Sequence, residues 1–298
     1  MPASSLVAAS TERPGLGRAF FIGARDRTIA RMRRTTPTLL LALLCSVTAR
    51  ADIPGFAPDN TAEANGLAIA QEADRRGQGF GDSRSTLTMT LYDGRGNSAT
   101  REMSGKTLEM PEDGDRTLLF FENPRDVAGT AFLTHSHGER DDDQWLYLPA
   151  LKRIKRIASS NRSGAFMGSE FSYEDLGNDD VEKYNHRYLG EADIDGVATY
   201  QLERTPRLKS GYSKQIVWLD QAELRAWRIE YYDRGGRLLK TLYPSNYEQY
   251  LERFWRPLTM EMINHQNGRR TVLEWADYVF GLELPARDFE RDALRDIR

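Results

Sequence analysis

Two histidines, His135 and His137, are the residues best placed for metal chemistry. One intervening residue puts both imidazoles on the same face of a strand, a spacing that some metal sites use. The alternative is a polar strand end, because glycine and charged residues follow at 138–141. No thiolate can complete a site, since the only cysteine, Cys45, lies in an N-terminal apolar run. We therefore expect neither a metal nor another cofactor.

The other patterns that enzymes use are incomplete. Ser169 lacks the flanking residues of a nucleophile elbow. The alternating glycines at 77–81 precede a strand, whereas a phosphate loop precedes a helix. The acidic runs at 141–143 and 179–180 lie in turn-like segments, where solvated charge is the ordinary explanation. We therefore predict that the protein is not an enzyme.

Four cations within five residues form a basic patch. They are Lys152, Arg153, Lys155 and Arg156. One interpretation is an exposed edge strand that lysine and arginine protect from pairing with another chain. The other is a docking patch for an anionic membrane surface or an acidic partner. The sequence leaves both interpretations open.

The N-terminal region has the three parts of a secretory signal peptide. Arginines at 31–34 precede an apolar run at 37–45, and an A-x-A cleavage site follows at 49–51. The run is too short for a spanning helix, which needs about 20 residues. A lipid anchor on Cys45 is disfavoured, because Leu44 stands where a small residue is expected.

Cleavage after Ala51 defines the expected domain organisation. We expect residues 1–31 to be a non-native upstream extension, 32–51 to be the signal peptide and 52–298 to be one domain. Removing residues 1–51 takes away 8 of the 41 lysines and arginines and 2 of the 44 acids, which leaves a net charge of −9. Such an acidic chain binds nucleic acid poorly, so we expect no nucleic-acid partner.

Alternation of apolar and polar residues predicts a mainly β protein with about a dozen strands. Leu87, Met89 and Leu91 alternate with threonines after Arg84. Similar runs are Thr117–Glu122, Thr130–Thr134, Gln144–Leu148, Arg187–Gly190, Ala198–Leu202, Gln215–Leu219, Ala226–Tyr232, Leu238–Tyr243, Thr259–Ile263 and Thr271–Trp275. Asp-Gly and Asn-Gly turns between them predict antiparallel neighbours, hence one large curled sheet forming a barrel or partial barrel.

One helix and one long loop interrupt this pattern. Asn60 is the expected N-cap of a helix that begins at Ala62 and ends before Gly77. Gly66 should cost this helix about 1 kcal/mol relative to alanine, so tertiary contacts must hold it. The segment 159–180 is too long for a turn and carries several large apolar residues, which predicts a loop that covers part of the core.

Two long strings carry a resemblance to a known family. They are QWLYLPALKR at 144–153 and FMGSEFSYEDL at 166–176, and segments 124–133 and 289–294 support them. The chain resembles the LolA-like outer-membrane lipoprotein-sorting family from about residue 59 to 294. The resemblance implies a periplasmic carrier with an unclosed antiparallel barrel around an apolar cavity that a helix or loop lid covers. Its implied ligands are acyl chains of lipoproteins or lipid, with the cargo undefined.

Within this fold, seven residues are the candidates for the cavity and its lid. They are Met89, Phe166, Met167, Phe171, Tyr173, Met260 and Met262. Methionine suits a cavity that adapts to variable chains, although ordinary core packing also explains it. The resemblance also allows a second role, as a non-enzymatic periplasmic adaptor of an inner-membrane transporter of the resistance-nodulation-division (RND) type.

The signal-peptide interpretation predicts the first residue of the mature protein. Mass spectrometry of the secreted protein should give Asp52 at the N-terminus. A mature N-terminus upstream of Met32 would contradict it.

Overall fold

Thirteen strands form one antiparallel sheet, against which a single α-helix packs in the part of the chain that is described. The computed structural model describes residues 50–110 and 114–297. The helix is α1 (Ala62–Gly77). The strands are β1 (Asp82–Tyr92), β2 (Ser98–Leu108), β3 (Arg116–Asn123), β4 (Ala131–His135), β5 (Asp143–Leu148), β6 (Arg153–Arg156), β7 (Tyr184–Ile194), β8 (Val197–Pro206), β9 (Tyr212–Asp220), β10 (Ala226–Asp233), β11 (Leu238–Tyr250), β12 (Phe254–Asn264) and β13 (Arg270–Phe280).

The strand order explains why the sheet stays open. It runs β6-β5-β4-β3-β2-β1-β13-β12-β11-β10-β9-β8-β7, so the first and last strands of the chain pair in the middle. The two edges, β6 and β7, are consecutive in sequence. The segment that joins them, residues 157–183, is called the β6–β7 loop below; it contains four short 3-10 turns. The expected unclosed antiparallel sheet is confirmed.

The alternation in sequence corresponds to the two faces of the sheet. Leu87 and Met89 are buried in the main core cluster, as the pattern predicts. On β4, Phe132 belongs to this cluster whereas Leu133 lies on the opposite face. There the C-terminal turns cover it, with Phe289 and Leu294 almost fully buried. Strand β4 is therefore buried on both faces.

Strand β2 is the element that the sequence pattern did not reveal. Its residues are mostly polar, and Met103 is its buried apolar side chain. At Gly105 a Cβ would lie 3.0 Å from Leu87 Cδ1, so the strand packs through its backbone rather than through a side chain. Apolar periodicity cannot detect such a strand, although the turn at 93–97 requires a partner for β1.

Helix α1 begins at Ala62 as expected, but its N-cap and its last residue each differ by one position from the expectation. Thr61, not Asn60, is the N-cap, because its side chain accepts a hydrogen bond from the Ala64 N–H at 3.1 Å. Asn60 instead donates to the Gly55 carbonyl at 2.8 Å. Gly77 is the last helical residue rather than the residue that stops the helix.

The expected N-terminal extension and most of the expected signal peptide lie outside the described residues. Arg50 and Ala51, which precede the expected cleavage site, are described. The Ala51 N–H donates to the Gln221 carbonyl at 2.6 Å, and Arg50 Nε donates to the Tyr200 hydroxyl at 2.6 Å. Cleavage after Ala51 would remove both contacts. No helix among the described residues has the length and apolar character needed to cross a membrane.

The close approach of α1 to β7 depends on Gly66. A Cβ there would lie 2.7 Å from the backbone nitrogens of Arg187 and Tyr188. Gly66→Ala should therefore destabilise the protein by about 1–3 kcal/mol through overpacking, despite alanine's better helix propensity. Gly77→Ala is the control, because nothing lies within 4 Å of its Cβ position. Urea unfolding measures both; a Gly66→Ala variant as stable as Gly77→Ala would contradict this contact.

Candidate functional site

A cavity of about 1,890 Å³ lies between the sheet, α1 and the β6–β7 loop. Every strand except β5 and β6 contributes to its wall, so the sheet curls around it. Apolar side chains on the inner face include Leu87, Met103, Leu202, Val217, Leu242 and Leu273. The cavity exceeds the roughly 300–1,000 Å³ of ordinary small-molecule pockets. It has the size and the wall for long apolar chains.

Four of the seven predicted cavity residues line this space. They are Met89, Phe166, Phe171 and Met260. The other three pack beside it. Met262, two residues along the same face of β12 from Met260, is fully buried in the core and does not line the cavity. Met167 and Tyr173 lie on the loop but turn toward the surrounding core.

Phe166 is part of the core and does not form a free flap. Its side chain is 0% exposed, and its ring centroid lies 5.0 Å from that of Phe132 and 5.6 Å from that of Tyr173. The neighbouring Met167 has a left-handed backbone, and its carbonyl accepts a hydrogen bond from the Arg101 guanidinium. The Met167 side chain packs against the core and does not line the cavity.

A buried ion pair fixes the β6–β7 loop to the sheet. Lys240 Nζ of β11 lies 2.5 Å from Asp175 Oδ2, and both side chains are less than 5% exposed. Lys240 also donates to the Glu170 carbonyl at 2.9 Å, and the Tyr212 hydroxyl donates to Asp175 Oδ1 at 2.8 Å. Burial, with the Asp175 charge beside it, raises the pKa of Tyr212 well above its usual value. The loop is thus held by charge as well as by aromatic packing.

A second polar cluster holds the end of the same loop. Lys183 Nζ lies 2.8 Å from both Asp142 and Asp180. Arg204 of β8 lies 3.1 Å from Asp179 and donates to the Gln215 side-chain oxygen at 2.6 Å. The acidic runs at 141–143 and 179–180 thus serve as loop anchors. The sequence did not indicate this role for them.

Helix α1 forms the other wall and is attached differently. Its buried apolar side chains are Ala68 and Ile69, and the half-buried Ala70 and Ala73 face the cavity. Glu72, which is buried, accepts hydrogen bonds from Arg75 and Arg76 at 2.8 Å, and these bonds lower its pKa to about 2. Small side chains give this wall little apolar contact area.

Carboxylates crowd the rim of the cavity beside α1. Burial, together with the charges of Asp180, Glu182 and Asp115, raises the pKa of Asp74 to about 6. Asp74 accepts one hydrogen bond, from Gln78 Nε2 at 2.6 Å. Deprotonating Asp74 therefore costs more free energy in the folded state than in the unfolded chain.

The predicted histidine pair does not converge. His135 Nε2 bonds the Phe289 carbonyl at 2.7 Å, and His137 Nε2 lies 3.2 Å from Asp143. Burial lowers the pKa of His135. No group of three potential metal ligands occurs among the residues that the structure describes.

The basic patch lies at the edge of the sheet. Arg153 and Lys155 are exposed on β6, and Lys152 precedes it with a left-handed backbone. Arg156 forms an ion pair with Asp143. The edge-strand location is confirmed, whereas a docking role stays a prediction.

Comparison with known proteins places these features among relatives. A family model described as "Uncharacterized protein" matches residues 113–296. A Vibrio parahaemolyticus domain assigned to outer membrane lipoprotein sorting is 51% identical, with 78% of this chain and 99% of that chain covered and a TM-score of 0.77. A DUF1329 family protein from Desulfovibrio piger ATCC 29098 is 33% identical, covering 79% and 100%, with a TM-score of 0.75.

A more distant structure shares the fold alone. A LolA superfamily protein from Nitrosomonas europaea is 22% identical, covers 76% of this chain and 98% of that chain, and has a TM-score of 0.62. A comparison with curated proteins gave no match.

The raised pKa of Asp74 predicts a specific dependence of stability on pH. Between its ordinary value of 3.8 and about 6 the folded state holds more protons, so its contribution to stability falls as pH rises through that window. Asp74→Asn should therefore melt at a higher temperature than the wild type above pH 6, and the two should converge near pH 4. Asp74→Glu should keep the wild-type slope. An Asn variant that gains most in acid would contradict this assignment.

Proposed function

Because the chain belongs to the DUF1329 family and has the fold of the LolA-like lipoprotein-sorting proteins, we propose that it is a periplasmic carrier for acyl chains of lipoproteins or lipids. The observation that supports this most directly is the cavity of about 1,890 Å³, whose sheet wall carries a run of apolar side chains. A protein that used this fold only as a scaffold would be expected to fill such a space with side chains. The proposed direction of transfer is toward the outer membrane.

The hydrophobic effect is sufficient for binding. Burying an acyl chain contributes about 0.8 kcal/mol per methylene, so a palmitoyl chain contributes at most on the order of 12 kcal/mol. The chain needs no polar contact along its length. Release requires that the apolar wall be opened or replaced. The part of the wall that is easiest to displace therefore controls release.

Helix α1 is the part of the enclosure that we propose moves. Its apolar contacts with the rest of the protein come from alanines, Ile69 and the backbone approach at Gly66. Hydrogen bonds from Arg76 to the Ala222 carbonyl and from Arg253 to the Arg75 carbonyl attach its C-terminal end. The β6–β7 loop, by contrast, buries Phe166 and Phe171 and is held by the Lys240–Asp175 ion pair. Displacing the loop would leave a buried charge unpaired, which costs several kcal/mol. Displacing α1 costs the contacts of small side chains and a few hydrogen bonds, because the ion pairs of Glu72 with Arg75 and Arg76 lie within the helix and move with it.

The second candidate is an adaptor for an inner-membrane RND-type transporter, and the exposed basic patch favours it. In that role the cavity would bind no ligand. A carrier retains lipid through purification and an adaptor does not. Mass spectrometry of an organic extract of the purified protein therefore separates the two functions.

Met260 and Met167 are a matched pair for testing the cavity. Both are half-buried methionines next to the core, but only Met260 lines the cavity. Met260→Gln puts an amide without a partner against the bound chain, at a cost of about 1–3 kcal/mol, so affinity should fall by about tenfold. Met167→Gln should bind as the wild type does. Displacement of a fluorescent fatty acid measures both; equal effects would exclude the cavity as the binding site.

We also propose that the basic patch docks on an anionic membrane. Lys152, Arg153 and Lys155 form no ion pair with another described residue, and the neighbouring Leu151 is 63% exposed. A cation near an anionic surface contributes about 1 kcal/mol, and an exposed apolar side chain between cations can enter the interface. An acidic chain would otherwise be repelled from such a surface.

Charge reversal tests this docking surface. Lys152→Glu with Lys155→Glu should reduce co-sedimentation with phosphatidylglycerol-containing vesicles by at least tenfold, and wild-type binding should weaken with salt. Arg84→Glu with Arg95→Glu makes the same charge change at exposed positions on and after the central strand β1. If both double variants bind equally, or if salt has no effect, the patch only protects the sheet edge.

A further inference from the structure

The sheet opens into a fork between β12 and β13. These strands pair over Thr259–Ile263 and Arg270–Glu274. Beyond that point the N-terminal part of β12 stays paired with β11, and the C-terminal part of β13 pairs with β1. In the fork, β12 and β13 are therefore not joined by backbone hydrogen bonds, and side chains occupy the space between them. Its aromatic residues are Phe80, Tyr250, Phe254, Tyr278 and Phe280.

Arg256 lies in this fork and lines the cavity. Its guanidinium carbon is 5.0 Å from the ring centroid of Phe80 and 5.9 Å from that of Phe254. Within the described part of the chain, the one hydrogen bond that its side chain donates goes to the adjacent Trp255 carbonyl at 3.1 Å. No carboxylate of the described residues lies within ion-pair distance of it. A guanidinium has five N–H donors, so most of them are uncommitted.

Holding the Arg256 guanidinium partly buried without an anionic partner costs free energy, and a bound anion would offset that cost. Burial lowers the pKa of Arg256, and the nearby Tyr278, Asp115 and Glu109 act in the opposite direction. Aromatic rings stabilise a cation only in part. In contrast, buried Lys240 and Arg204 each have a carboxylate partner within 3.1 Å. Among these three cations of the interior, Arg256 alone faces the cavity without one.

Resting on the carrier function proposed above, we propose that the fork is a headgroup site, in which Arg256 binds the anionic head of an acyl ligand. Guanidinium groups bind carboxylate and phosphate with paired hydrogen bonds. Tyr278 and Ser85, which both line the cavity, supply further polar groups near the fork. The chain would then extend along Pro244, Met260 and Leu273.

The proposal narrows the class of ligand. An acyl chain attached through an ester or amide bond has no charge at that end, whereas a free fatty acid or a phosphate-bearing lipid has one. Arg256 thus favours an anionic lipid over the acyl chains of a lipoprotein. Carboxylate and phosphate share the chemistry that the site recognises, and separate ligands distinguish them.

Arg253 provides a control at the same opening. It is exposed, and its guanidinium lies 4.9 Å from the Phe254 ring, so its charge is near the fork. Its Nη2 donates to the Gln78 carbonyl at 2.9 Å and to the Arg75 carbonyl at 3.4 Å, at the C-terminus of α1. These donors are already used. Removing this charge changes the potential at the opening without removing the uncommitted donors of Arg256.

Competition binding with three ligands of equal chain length tests the headgroup site. The ligands are palmitate, the corresponding alkyl phosphate and the corresponding neutral alcohol, each displacing a fluorescent fatty acid. Wild-type protein should prefer at least one of the two anions over the alcohol by tenfold or more. A preference for palmitate would identify a carboxylate as the recognised headgroup, and a preference for the alkyl phosphate would identify a phosphate. Arg256→Gln should lose this preference and keep its affinity for the alcohol, and Arg256→Lys should retain part of the preference.

The outcomes separate this proposal from the carrier function. Equal wild-type affinity for acid, phosphate and alcohol would overturn the headgroup site and leave the carrier function standing. No binding of any of the three would overturn the carrier function itself. Equal loss of preference in Arg253→Gln and Arg256→Gln would overturn the assignment to Arg256. A melting temperature of Arg256→Gln close to that of the wild type confirms that a change in preference is not caused by unfolding.

Discussion

The two edge strands of the sheet follow one another in the chain, so the segment that joins them must cross the opening that an unclosed sheet leaves. This constraint determines most of the interior. The β6–β7 loop cannot lie in solvent with its two phenylalanines exposed, and it instead inserts Phe166 and Phe171 into the core. The buried Lys240–Asp175 pair then ties the loop to β11, the ninth of the thirteen strands counted from β6. The β6–β7 loop closes one part of the opening of the sheet in this way, and α1 covers the other part.

The two covers have unequal strength, and the difference arises from side-chain chemistry. The loop is fixed by aromatic packing and by charges that would be costly to expose. The inner side of the helix consists of alanines around one isoleucine. Gly66 lets the helix backbone approach strand β7 closely, but a glycine adds no side chain to that contact. The acidic groups around Asp74 also oppose tight closure at this side. A cavity with one rigid and one weakly held wall is suited to uptake and release of a ligand.

Some cations of this protein have no acidic side chain beside them. Such cations can bind an anion from outside the protein. Most buried cations of the interior are satisfied within the fold, as Lys183 and Arg204 are. Cations without an acidic partner among the described residues include exposed ones at the edge strand β6 and the partly buried Arg256 at the fork between β12 and β13. In an acidic protein these two places attract anions. The first is exposed and suits a membrane surface, while the second is partly buried beside the cavity and suits a single headgroup.

The sequence alone determined the class of fold, because alternation at Leu87 and Met89 and the Asp-Gly turns depend only on local geometry. It also indicated an apolar loop at 159–180 and a cationic edge, since those features are visible as composition. It did not determine β2, whose Gly105 packs through backbone, nor that Met262 is core whereas Met260 faces the cavity. Lys240 gave no signal, because a lysine in an alternating strand is ordinarily read as an outward-facing residue; only the tertiary structure brings Asp175 to it from 65 residues away. The position of Arg256 likewise depends on where β12 and β13 separate, and strand pairing is a long-range property that no local pattern encodes.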